Sequence, residues 1–178
     1  AGQTIELVSE NRFHDDFLSG HLELAAATGA ACNYADVADT EFESRKLADG
    51  ERSDLGNVVL EIRHTPGHTT ESISIVVWDS STSEAPYAVL TGDTLFIGDV
   101  GRPDLLSSVG HSREDLAASL YDSLHEQLLT LPDSTRVYPA HGAGSPCGKN
   151  LSTDTWSTIG VQRSTNYALL ADSKETFF

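Results

Sequence analysis

Four short segments hold the residues best suited to chemistry: Arg12-Phe13-His14-Asp15-Asp16, Thr65-Pro66-Gly67-His68-Thr69, Thr91-Gly92-Asp93-Thr94 and Pro139-Ala140-His141-Gly142. Each sets a His or Asp just beyond an apolar run, the pattern of a metal site assembled from separate strand ends. His14 and Asp16, two apart on an extended segment, project to one side, while His68, Asp93 and His141 each arrive from a different strand. Imidazole and carboxylate ligands without thiolate suit zinc, iron or manganese, and two His with one carboxylate around open positions suit oxygen-activating Fe(II). The candidate metal ligands are therefore His14, His68, Asp93 and His141, with Asp16 and Asp93 as candidate catalytic carboxylates. Arg12 stands where a His-x-His-x-Asp segment would open with histidine. Its guanidinium cannot coordinate and keeps its charge, so it would pair with Asp16 or Asp93 where a metal cation otherwise sits.

Two further residues are candidates for substrate binding. Arg102, in Arg102-Pro103-Asp104, would orient an anionic substrate, or else fix its own loop by pairing with the neighbouring Asp. Cys147 would meet a sulfur substrate, or else fill space as a small buried thiol. His21, His111 and His125 have no partners in the pattern, and His64 is either a supporting neighbour of His68 or a structural strand-end residue. A nucleophile-based hydrolase is disfavoured, because no Gly-x-Ser-x-Gly elbow occurs and neither cysteine has a nearby histidine in sequence.

The elements that must position these residues follow from turn signals and hydrophobic period. Strands are expected over Thr4 to Val8, Ala31 to Tyr34, Val58 to Ile62, Ile73 to Trp78, Tyr87 to Leu90 and Arg136 to Tyr138. A first helix capped by Ser19 would end at Gly29. Ser112 and Asp115 form a capping box for a second helix, which places Leu116, Leu120, Leu124 and Leu128 on one stripe and stops at Pro132. A last helix is expected over Asp154 to Ala171. Strands broken by single helices, with no repeat or linker, imply one α/β layered domain over 1–178.

Composition narrows the partners. The 178 residues carry 27 acidic against 11 basic side chains, a formal net charge of -16. Nucleic acid and anionic membrane surfaces both need a basic footprint, so neither is the expected partner. The acidic residues are spread along the chain, which fits the solvated surface of a folded protein and a salt-loving source. Cys32 and Cys147 show no Cys-x-x-Cys spacing, and no spanning or signal segment is visible, so a reduced, cytoplasmic setting is expected.

On these residues the chain resembles the metallo-β-lactamase fold superfamily, whose site is built from His-x-His-x-Asp-His, a later His, a bridging Asp and a final His. The run Gly92 to Asp104 and the segment Pro139 to Lys149 look most like persulfide dioxygenases, including forms fused to rhodanese domains. The resemblance implies an αββα sandwich and makes His68 and Asp93 two of three iron ligands. The third position falls on Arg12, while Phe17 stands at the motif's closing histidine, a departure that weakens a binuclear zinc site. The family has further strands before the metal-binding loop. Without them part of the first sheet would be missing, and a homodimer covering the open edge is expected.

Three functions follow. In the first, Fe(II) on His68 and Asp93, with His14 replacing the lost histidine, oxygenates a persulfide to sulfite and thiol. The second is a zinc hydrolase acting on a thioester or amide, which needs His141 and Asp16 as ligands. The third has no metal, and the fold serves as a binding or assembly module.

Overall fold

The computed structural model describes residues 2, 4–13 and 18–177. Its strands form two sheets. The smaller is parallel and consists of β1 (Leu7–Ser9), β2 (Ala31–Ala35) and β3 (Arg45–Leu47), in that order. The larger runs in sequence order from β4 (Arg52–Leu55) through β5 (Val58–His64), β6 (Ile73–Asp79), β7 (Pro86–Gly92) and β8 (Arg136–Pro139) to β9 (Ser157–Thr158). All its pairings are antiparallel except β7 with β8.

Alternation along the strands sorts the core into two layers. Ile62, Ile73 and Ile75 of the large sheet pack with Ala35 and Leu47 of the small one. The opposite face presents Val76, Val89 and Val137 to Leu120, Leu124, Leu128 and Ile159. These last come from α2 (Arg113–Asp122), the π-helical turn Ser123–Leu128 that continues it, and α3 (Ile159–Thr165). A short α1 (His21–Thr28) lies along β1 and β2 and buries none of its residues, and α4 (Lys174–Phe177) packs against α2. No helix of the described residues is long and apolar enough to cross a membrane.

Five of the expected strands are present with small shifts of their ends, while the first, expected over Thr4 to Val8, is confined to Leu7–Ser9. Ser112 caps α2 as its spacing implies, accepting a hydrogen bond from Asp115 N at 3.2 Å. Ser19 does not cap α1. Gly20 holds that position, and Ser19 Oγ donates instead to Glu10 Oε1 at 2.5 Å. The single helix expected over Asp154 to Ala171 is broken. Ser157 and Thr158 pair with β8, Thr158 caps α3, and the chain leaves α3 at Asn166, whose side-chain amide donates to Asp99 O at 2.9 Å. The Asn166 side-chain oxygen also accepts from Ala168 N at 3.2 Å, a local bond that competes with helix propagation and starts a separate helical turn over Tyr167–Leu170. Strands β3, β4 and β9 are too short and polar to show an alternating pattern.

This topology brings the candidate segments together. The hairpin pairing His64↔Ile73 closes β5 onto β6 through the turn that carries His68. Because β8 runs parallel to β7, with Gly92 opposite Pro139, Asp93 and His141 leave the sheet side by side. The segment after β1 joins the same rim, where Asn11 O accepts from Ile73 N at 2.8 Å.

Candidate metal centre

Arg12, His68 and Asp93 are all but inaccessible to solvent, at 1%, 0% and 2% exposure. The His68 turn is pressed against α2, where a Cβ on Gly67 would stand 2.4 Å from Leu120 Cα at a φ of 141° that itself favours glycine. Ser123 Oγ ties the turn down by donating to Pro66 O at 2.7 Å. Gly101 closes the other side, since a Cβ there would lie 2.0 Å from Asp93 O.

Asp93 is the centre of the cluster. Its Oδ2 accepts from Arg12 Nε at 2.5 Å and is also ion-paired with the terminal Nη2 of the same guanidinium. Its Oδ1 accepts from His141 Nδ1 at 2.5 Å. Arg12 Nη1 donates to Phe13 O at 2.6 Å, and Nη2 lies 3.4 Å from Cys147 Sγ. His68 donates Nδ1–H to Arg102 O at 2.9 Å, because a carbonyl can only accept, and this turns Nε2 toward Asp93 Oδ2 at 3.6 Å. One ligand atom from each of His68, Asp93 and Cys147 lies within 4.8 Å of the others, and all three residues are buried.

Of the residues singled out by sequence, the structure thus gathers His68, Asp93, His141 and Cys147, together with Arg12. His14 and Asp16, and with them Phe17, lie outside the described residues. Arg102 contributes its carbonyl to His68, but its side chain forms a two-armed pair with Asp104, both bonds 2.7 Å, as the conservative reading of that segment had it. That bond raises the Arg102 pKa and lowers that of Asp104. His64 takes the structural role: its Nε2 contacts Leu47 O at 2.9 Å. His21 joins Ser19 and Tyr34, and His125 stacks on Tyr121.

Two positioning residues escaped the sequence. Asp99, 1% exposed, accepts from Val100 N, Tyr167 Oη, Lys149 N and Asn150 N, all within 2.8 Å, and so fixes the loops bearing Arg102 and Cys147. Glu71 accepts from Phe13 N at 2.9 Å and holds the segment carrying Arg12. The only sequence signal for Asp99 is its place between two glycines in Gly98-Asp99-Val100-Gly101, which reads equally well as a turn.

Among the described residues, the arrangement does not fit the metal implied by the family resemblance. The guanidinium already occupies the Oδ2 side of Asp93 and leaves a neighbouring ligand position filled by a group that only donates. Two unit charges at 4 Å repel by about 4 kcal/mol in a surface-like dielectric, so a dication beside Arg12 meets roughly twice that. Arg12 is instead ion-paired with Asp93, whose second oxygen accepts from His141.

No protein-family model matches the chain. A solved metallo-β-lactamase from Staphylococcus aureus superposes with a TM-score of 0.86 at 34% identity, over 98% of this chain and 52% of that one. Human mitochondrial persulfide dioxygenase is 32% identical over 129 residues, 72% of this chain and 42% of the relative. A probable hydroxyacylglutathione hydrolase of Schizosaccharomyces pombe is 32% identical over 137 residues, 77% of this chain and 48% of its own length. The chain spans less than half the length of these two curated relatives. By sequence and backbone alike, this chain has the metallo-β-lactamase fold, and its relatives are metallo-enzymes, a dioxygenase and a hydrolase among them.

Proposed function

We propose that this chain is a binding or assembly module that keeps the site of a persulfide dioxygenase without its metal-dependent turnover. The observation that carries this reading is the buried guanidinium of Arg12 on Asp93. In the resemblance, Arg12 falls on an iron-ligand position, and the side chain there supplies the positive charge that Asp93 needs once it is out of water. A small persulfide or thioester is the ligand class suggested by the relatives, and binding would use the cluster around Cys147 without oxygen chemistry.

The test is metal analysis of protein purified in high salt, paired with oxygen uptake on a thiol persulfide and hydrolysis of a glutathione thioester. The expected result is no stoichiometric metal and neither activity. Iron together with persulfide-dependent oxygen uptake would overturn the proposal in favour of a dioxygenase. Zinc together with thioester turnover would overturn it in favour of a hydrolase.

A further inference from the structure

The guanidinium does more than neutralise one carboxylate. Its Nη2 is ion-paired with Asp93 and lies 3.4 Å from Cys147 Sγ, so a cation already stands between an oxygen donor and a sulfur donor. The third donor, His68, is oriented by the Arg102 carbonyl. We propose that His68, Asp93 and Cys147 form a cage for a cation, filled in the native chain by the Arg12 side chain. Removing the guanidinium opens a nitrogen, oxygen and sulfur site for a thiophilic divalent ion.

The geometry and charge suit such an ion. Zinc binds imidazole at about 2.0–2.1 Å and thiolate at about 2.3 Å, which in a tetrahedron sets the donors roughly 3.5 Å apart. The three donors stand within 4.8 Å of one another, so small side-chain rotations close the difference. A carboxylate and a thiolate together balance a dication, and loss of Arg12 removes the cation that the described residues set against Asp93 and Cys147. His141 on the far oxygen of Asp93 would hold that ligand in place, as outer partners of metal ligands commonly do. Cys147 supplies a ligand that the His and Asp segments do not contain, and soft thiolate selects zinc, cadmium or cobalt over magnesium or calcium.

The inference rests on the same resident cation as the proposed function, and cobalt spectroscopy tests it separately from activity. Native protein, Arg12→Ala and Arg12→Gln are titrated with Co(II) under a phosphine reductant, with folding followed by circular dichroism. The expected result is no binding by the native chain and about one equivalent bound by a variant. The bound ion should give a thiolate-to-cobalt charge-transfer band, lost in Arg12→Ala/Cys147→Ser and kept in Arg12→Ala/Cys32→Ser. A variant that folds only when cobalt or zinc is added supports the cage equally. Equal binding by the native chain, a band that survives loss of Cys147, or variants that bind no metal, folded or not, would each overturn it. Iron and oxygen uptake in the native chain would end the proposed function, leaving the role of Cys147 to be decided by these spectra.

Discussion

Asp93 accepts from two cationic or potentially cationic groups while wholly shielded from water, and this makes it the residue on which the site's stability turns. Removing one partner of a buried ion pair leaves the other charge uncompensated, typically at a cost of about 3–5 kcal/mol. Asp93→Asn should therefore lower the urea midpoint strongly, while Asp104→Asn, which breaks a solvent-exposed pair, should cost under about 1 kcal/mol. Similar losses from the two would show that Arg12 does not depend on Asp93. Tyr34 provides a pH test, because burial, helped by the charge of Glu10, pushes its hydroxyl up to about 12. Its unfolded counterpart ionises near 10, so its stabilising contribution is whole below about pH 10 and lost as pH rises toward 12. Tyr34→Phe should flatten that alkaline decline in a series of thermal melts, and an unchanged slope would contradict the assignment. At this scale the sequence disclosed His68, Asp93 and His141, because each follows a visible strand, and it named Asp93 among the possible partners of Arg12. Asp99 stayed hidden because three of its four donors, Lys149 N, Asn150 N and Tyr167 Oη, come from distant parts of the chain that only tertiary folding unites with it.

The helix that begins at Ser112 does double duty as core and as abutment for the His68 turn. Leu120 packs under Gly67, and the π-helical turn after Asp122 brings Ser123 round to the Pro66 carbonyl. Gly67→Ala should cost at least about 2–3 kcal/mol, since backbone and helix must both shift. Gly98→Ala, with positive φ but open space around it, should cost roughly 1–2 kcal/mol. Comparable denaturant midpoints for the two variants would show that the turn does not rest on α2. The leucine stripe made this helix legible from sequence, with its cap. The switch to π pairing was not legible, because the stripe runs on through Leu124 and Leu128 whichever hydrogen bonds the backbone makes. Strands β3 and β4 were missed for a related reason: Arg-Lys-Leu and Arg-Ser-Asp-Leu owe their extended form to neighbouring strands.

Over the whole molecule, 27 acidic side chains outnumber 11 basic ones, a formal net charge of -16. Repulsion of this kind is screened as the Debye length falls to about 3 Å at molar salt. The melting temperature should therefore rise with added potassium chloride, and a flat or falling profile would remove the argument for adaptation to salt. The small sheet ends in the edge strand β1, beside a groove of about 660 Å³ lined by Ile5, Leu7, Leu55, Leu60 and Ile75. We propose that a second copy covers this edge, and light scattering in high salt should then give twice the monomer mass. A monodisperse monomer would rule that out. The layered α/β architecture could be read from the order of strands and helices. The gathering of four loops on one rim depended on the parallel β7–β8 pair, which no local pattern encodes.

The positive charge on Asp93 belongs to the chain itself. A domain that borrows its cation from solution has a folding equilibrium set by mass action, tightening when the ion is plentiful and loosening when a chelator or acid removes it. In the proposed module the cation is the covalently tethered guanidinium of Arg12, which is never diluted. On the proposed reading, depletion of iron or zinc should leave this domain's melting temperature unchanged.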